Sequence, residues 1–247
     1  MRALAKHLMF ENIPEAFLVN LVVGSTAWFL KTVRKSGMIY GVLAGTLIYI
    51  CMTMSGWLIL LIFFCCASFA TKLGRSQKKL HGTQQPKEGR RGKAEVLSKV
   101  GVPLIIACLM PLLISGQGSA LFFAKLAYCG ALAAALADTL GSEIGPLTSG
   151  KVWQLPSLRK ASHGSPGGVS VLGLAASALG AWVIAQAGYE FFGMPMLPIF
   201  LAGFVASLID GVLSALSKNK SEHFHHWINF CACSISAILA NAIYFLS

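Results

Sequence analysis

The sequence predicts an all-α polytopic transmembrane bundle of about eight spans, or seven if one of the shorter apolar stretches does not cross, as a single integral-membrane domain over 1–247. Three observations predict it. Of the 247 residues, 55% are hydrophobic and 12% charged, against roughly 25% charged in an average soluble domain. Eight apolar stretches recur along the chain, each near the ~20 residues a tilted helix needs to cross a bilayer. The basic residues also fall on alternate connections, as the loops of a multi-pass protein do.

The chain begins with LMFENIPEAFLVN, which carries acids early and lacks a small-residue cleavage pattern. It reads as an interfacial lead-in rather than a signal peptide. Spans follow at about 16–30, 37–53 and 55–70, then a polar stretch over 71–99, spans at about 100–115 and 119–137, a second polar stretch over 138–167, and spans at about 168–187, 194–216 and 226–246. Seventeen of the 20 Lys and Arg fall on one side in this register, leaving Arg2, Lys6 and Lys125. The opposite connections around Thr53–Ser55, Ser115–Ser119 and Ala187–Met194 carry none. The basic loops are therefore expected in the cytoplasm and both termini on the other side. The net charge of +11 then sets topology, and no nucleic-acid partner is implied. All seven cysteines lie in apolar runs, where a thiol packs as a small hydrophobe; neither zinc spacing nor a disulfide framework is visible.

The scarce polar groups carry the functional signal. ADTLGSEIG closes the fifth span and gathers Asp138, Thr139, Ser142 and Glu143, a hard-oxygen set of the kind Mg²⁺ takes when phosphates complete its shell. Residues five apart lie about 140° apart around a helix, so Gly141 and Gly145 are expected to loosen it if both acids are to meet one ion. A polar helix end wetted by water is the plain alternative. SHGSPGGVS opens the sixth span: Gly164, Gly167 and Gly168 let backbone approach an anion, Ser165 and Ser170 add hydroxyls, and His163 adds a proton carrier or phosphate donor. A Gly/Pro turn capping a helix would look similar, and no Walker spacing is present.

In the 71–99 stretch, the outer part from Lys78 to Lys87 reads as a solvated basic loop. In GRRGKAEVL, Gly89 and Gly92 flank Arg90 and Arg91, and Lys93 follows, a cluster suited to phosphates or anionic headgroups. Lys125, inside the fifth span, either snorkels outward or pairs with a carboxylate, with Glu190 a candidate neighbour. HFHHWINF holds His223 and His226 at a spacing that could share a metal, though an interfacial aromatic belt explains it as well. Asn229, just inside the last span, needs a partner in the bundle. A faint echo aligns Asp138 with Asp210; chance among Ala, Leu and Ser explains the match, yet both acids fall near the same end of their spans. Acids for a divalent metal, beside bases and backbone donors for phosphates, are the parts phosphoryl transfer needs.

GWLILLIFFCCASFATKLG, RRGKAEVLSKVG, ADTLGSEIG, HGSPGGVSVLG and AGFVASLIDGVL, in this order, resemble the DUF92 integral-membrane family, which includes TMEM-nineteen-like proteins and phytyl-phosphate kinases of plants and cyanobacteria. The resemblance runs from about Lys35 to the carboxyl terminus. It implies a membrane kinase that moves a phosphoryl group from a nucleoside triphosphate, CTP being favoured, to an isoprenoid monophosphate. The acidic motif falls on Asp138, Thr139, Ser142 and Glu143, the glycine motif on Gly164, Gly167, Gly168 and Ser170, and the late acid on Asp210. The implied cofactor is Mg²⁺ on Asp138, Glu143 and Asp210. Two departures, Lys99-Val100 where the family favours Asn-Gly and Ser165-Pro166 where it has Thr-Asn, bear on nucleotide and acceptor choice. Rival readings are a lipid cytidylyltransferase, a transporter or scramblase using Asp138, Asp210 and Lys125 as an ion path, and a noncatalytic membrane organiser.

Overall fold

The computed structural model describes residues 12–74, 78, 89–113, 118–162, 164–217 and 221–247. The amino-terminal lead-in, His163 and most of the outer basic loop lie outside these residues. The chain forms α1 (Ile13–Phe29), α2 (Lys35–Lys72), α3 (Lys93–Leu113), α4 (Gly118–Ile144), α5 (Val171–Phe192), α6 (Met196–Leu216) and α7 (Glu222–Leu246). Six of them are long and apolar enough to cross a membrane, and α1 is a shorter apolar helix of 17 residues.

At 38 residues, α2 would be about 57 Å long if straight, nearly twice the ~30 Å hydrocarbon core. It is not straight. Gly37, near its start, lies against the Arg91 backbone, while Arg91 Nη1 donates to Ser68 Oγ at 2.9 Å and Nη2 to Thr71 Oγ1 at 3.3 Å, near its end. A straight helix holds residues 37 and 68 about 46 Å apart, so α2 folds back on itself at Thr53, whose φ of 62° and ψ of −177° break the helix. The halves 35–52 and 54–72 each rise about 27 Å. Counted separately, they bring the described apolar helices to eight, as the sequence predicts.

α4 sits in the middle, packed by α2, α3, α5, α6 and α7. Every residue from Tyr128 to Ala137 is buried, because this helix is apolar and small-sided all round, which suits a core helix rather than a lipid-facing one. Its partners approach on glycine: a Cβ at Gly180 would meet Ala137 backbone at 2.9 Å, and one at Gly130 would meet Ser236 O at 2.9 Å. Without a hydrophobic force between helices in lipid, such close backbone contact is what holds them. Ser236 Oγ adds a bond to Gly130 O (2.7 Å) and Tyr128 Oη one to Gly56 O (2.8 Å). All seven cysteines are free thiols on these helices.

Two boundaries differ from the sequence expectation. α3 begins at Lys93, so the basic stretch ends in helix. The stretch after α4 is not an open loop: α4 continues through Gly141 to Ile144 with no loosening, and β1 (Val152–Gln154), β2 (Arg159–Ala161) and β3 (Gly168–Val169) form an antiparallel sheet in the order β2-β1-β3. Gly168 thus belongs to a strand, and α5 starts after it with Ser170 as N-cap, its Oγ accepting from Gly173 N at 3.0 Å. Strands of two and three residues carry too little alternation to be read from sequence. The described basic connections 31–35, 89–99 and 151–160 all lie at one end of the bundle, with the sheet.

Candidate functional site

Two cavities meet at the carboxyl-terminal end of α4. The first, about 420 Å³, runs between α1, both halves of α2 and the ends of α3, α4 and α7; Val23, Val42, Leu60 and Phe64 wall it, and Arg90, Arg91 and Lys99 line it at the basic end. The second, about 450 Å³, lies between α4, α5, α6, α7 and the glycine turn 164–170. Asp138, Ser142 and His225 line both.

The unbroken helix explains this division. Residues four apart share a face, so Thr139 and Glu143 face the first cavity, Gly141 and Gly145 the second, and Asp138 and Ser142 stand on the wall between them. Each acid has its own lysine. Lys99 Nζ donates to Asp138 Oδ2 and to Thr139 Oγ1, both at 2.6 Å, and Thr139 Oγ1 in turn donates to Ala135 O at 2.7 Å. Lys78 Nζ donates to Glu143 Oε2 at 2.6 Å and to Ala70 O at 3.0 Å, with both side chains of the pair 3% exposed. Lys78, expected in the solvated loop, is therefore a buried partner of the site.

Arg91 is strapped under α1 and α2: its N–H donates to Thr32 O at 3.1 Å and its carbonyl accepts from Arg34 N at 2.8 Å. Its guanidinium lies 5.9 Å from the centre of the Phe64 ring. Burial pulls its pKa below the ordinary arginine value, and the charges of Glu143 and Glu95 push it back. Arg90 presents a buried Nε–H with no partner among the described residues. Lys93, expected beside them, is exposed and lines neither cavity.

Across the second cavity, which Asp138 also lines, Asp210 is buried. Its Oδ1 accepts from Ser214 Oγ at 3.4 Å, and its Oδ2 has no partner among the described residues. The glycine turn lies opposite. Gly164 and Gly167 take φ of 78° and 68°, conformations that favour glycine. A Cβ at Gly167 would meet Gly211 O at 2.5 Å. Ser165 Oγ donates to Ser162 O at 2.8 Å, and Ser170 Oγ donates to Gly145 O at 3.1 Å besides capping α5. Those two hydroxyls shape the turn first.

Buried orphan acceptors ask for a donor or a cation. Asp210 Oδ2, Glu143 Oε1 and Asn229 Oδ1 are three such atoms around these cavities. Asp138 and Asp210 are the two carboxylates among the described residues that line the second cavity; the orphaned Asp210 Oδ2 is open to a hard divalent cation, while Asp138 Oδ2 is already held by Lys99. Glu143 does not complete that set: it faces the first cavity and is held by Lys78, and the three acids do not converge as a group. Among the described residues, the acids and histidines whose ligand atoms do converge are Glu95, Glu222 and His226, within 4.8 Å of one another. Glu95 there already accepts from Arg34 Nη2 at 3.0 Å and from Gly92 N at 2.8 Å.

Among the described residues Lys125 reaches no carboxylate, and it lines neither cavity. Its ammonium lies 5.0 Å from the centre of the Phe192 ring, and Glu190 accepts from Gln186 Nε2 at 2.8 Å. His223 lines neither cavity, while His225, between the two histidines expected to pair, lines both. Sequence reasoning missed Lys99, Lys78 and His225 as site residues. The signal available for Lys99 was its departure from the family's Asn.

A family model described as integral membrane protein DUF92 matches residues 18–237. An uncharacterized membrane protein of Methanocaldococcus jannaschii is 27% identical over 240 residues, covering 95% of this chain and 96% of its own length. The chloroplastic protein VTE6 of Arabidopsis thaliana is 26% identical over 216 residues, 86% of this chain and 63% of that protein. Protein PGR of the same plant is 27% identical over 232 residues, 83% of this chain and 80% of its own. No solved structure matches. With its motifs, its eight apolar helices and this match over most of its length, the chain belongs to the DUF92 family of integral membrane proteins.

Proposed function

We propose that this protein is a membrane-embedded kinase that transfers the terminal phosphoryl group of a nucleoside triphosphate, CTP favoured, to an isoprenoid monophosphate, giving the diphosphate. The observation that carries it is the meeting of two unlike cavities at Asp138 and Ser142. One is walled by apolar side chains and ends at Arg90, Arg91 and Lys99 beside Glu95, Glu143 and Glu222, suited to a lipid tail whose anionic head meets those cations. The other is lined by the glycine turn, a set of serines and the two aspartates Asp138 and Asp210, suited to a polyphosphate. The resemblance of the acidic and glycine motifs to those of phytyl-phosphate kinases supports the same assignment.

In this reading the acceptor's tail lies between α1 and α2 and its phosphate at Arg90, Arg91 and Lys99. The donor's phosphates lie along the Gly164–Ser170 turn. Mg²⁺, held by Asp138 and Asp210, supplies neutralisation of the donor phosphates when bound. Lys99, anchored on Asp138 and Thr139, holds its ammonium where the two phosphates approach. An acceptor phosphate oxygen attacks the γ phosphorus in line, the β–γ bridging P–O bond breaks, and the nucleoside diphosphate leaves with its electron pair. No general base is needed, since a phosphate monoester is already ionised near neutral pH, with a second pKa of about 6. The basic end of the bundle faces the cytoplasm by the charge rule, where nucleotides are.

The test uses purified protein with Mg²⁺, geranylgeranyl monophosphate and CTP labelled at either the γ or the α phosphate. The reading expects γ label in the lipid product and α label in released CDP. Label from the α position in the lipid means nucleotidyl transfer instead, and no transfer from CTP or ATP ends the kinase reading.

A further inference from the structure

The first cavity has a built floor. The deepest lining residue on α1 is Asn20, on the first half of α2 Gly45, and on the second half Trp57. All three converge: Trp57 Nε1 donates to Asn20 Oδ1 at 2.9 Å, and Gly45 lies so close to that oxygen that a Cβ there would overlap it. Asn20 is pinned from the other side, its Nδ2 donating to Ala16 O at 2.8 Å. Below it Trp57 meets Tyr49 edge-on at 5.9 Å, and Tyr49 Oη donates to Glu15 Oε1 at 2.8 Å. Asn20 and Trp57 are 5% and 7% exposed, so the floor is closed and held by hydrogen bonds.

Above the floor one position on a helix face is open. Gly37, Gly41 and Gly45 recur every four residues on α2 and so share a face. Gly37 is filled by the Arg91 backbone and Gly45 by Asn20, but a Cβ at Gly41 would meet nothing within 4 Å. The open position lies between a cationic end and a sealed end.

We infer that Asn20, Gly45 and Trp57 form a depth stop that sets the length of the isoprenoid tail this protein accepts, with Gly41 marking the space the tail occupies. The inference rests on the acceptor proposed above. From the basic end to the floor, Gly37 to Gly45 spans about 12 Å and Thr71 to Trp57 about 21 Å. A carbon chain with bonds near 1.5 Å advances about 1.3 Å per main-chain carbon, so an isoprene unit spans about 5 Å. The cavity takes about two to four units: geranyl to geranylgeranyl or phytyl tails fit, and a long polyprenyl tail does not.

The experiment measures retention of tritiated geranyl, farnesyl, geranylgeranyl and solanesyl monophosphates by the purified full chain in detergent, without nucleotide. The wild type is expected to bind up to geranylgeranyl and to reject solanesyl. Gly41→Phe should weaken geranylgeranyl by at least about tenfold more than geranyl, the effect of excluding as few as two further CH₂ groups. Trp57→Ala, which removes volume at the floor, should shift preference to longer tails and tests the stop from the other side if the phenylalanine does not fold. Identical length profiles in all three proteins, or strong solanesyl binding by the wild type, overturn the depth stop and leave the kinase reading to its own label test. Shifted profiles without phosphoryl transfer sustain the stop while the kinase reading fails. No retention of any prenyl phosphate overturns both.

Discussion

Asp138→Asn is expected to lower phosphoryl transfer by about 10²–10³-fold, the range seen when one preorganised electrostatic group is removed from a reacting centre. The residue stands on the wall between both cavities, holds Lys99 and lines the second cavity together with Asp210. The amide keeps the shape and an oxygen for Lys99 but removes the charge that would bind a cation. Its ion pair is 17% and 19% exposed, but the isosteric amide still offers Lys99 an acceptor oxygen, so the fold is expected to hold with a modest loss of midpoint. The check is the initial rate of label transfer beside the thermal unfolding midpoint. A variant with normal midpoint and near-normal rate would remove Asp138 from the chemistry.

Lys78→Met should act in the opposite way, through stability. Both members of the Lys78–Glu143 pair are 3% exposed, and removing one partner of a buried pair leaves a stranded charge that typically costs about 3–5 kcal/mol. For a chain of this size that corresponds to roughly 6–20 °C in unfolding midpoint. Replacing both partners, Lys78→Met with Glu143→Leu, removes the stranded charge and should recover most of the loss. Tryptophan fluorescence during heating in detergent reads this out. A single variant as stable as the wild type would mean that Lys78 does not close over Glu143.

The sequence exposes those features that depend on local composition. The apolar stretches, the one-sided basic loops and the break at Thr53 are local, and each has its counterpart in the structure. Asp138 and Glu143 stood out in the sequence because acids are so few. Their partners were not: Lys99 lies 39 residues from Asp138 and Lys78 lies 65 from Glu143, and only tertiary packing brings them together. The expectation that Gly141 loosens α4 failed for a related reason. Packing against Gly173 and Ser177 of α5 holds the helix straight, which sends Glu143 to one cavity and leaves Asp138 to line the other with Asp210. The faint echo between those two aspartates pointed to the same end of two spans. That they share one cavity follows from α4 and α6 both packing against α5.

In the proposed mechanism two substrates reach Asp138 from separate cavities. Calorimetry with β,γ-methylene CTP and geranylgeranyl monophosphate, added in either order with Mg²⁺, distinguishes this from a shared site. Both are expected to bind at once, each with one site, and Gly167→Val, which collides with Gly211, is expected to abolish nucleotide binding alone. Mutual exclusion of the two ligands would contradict it.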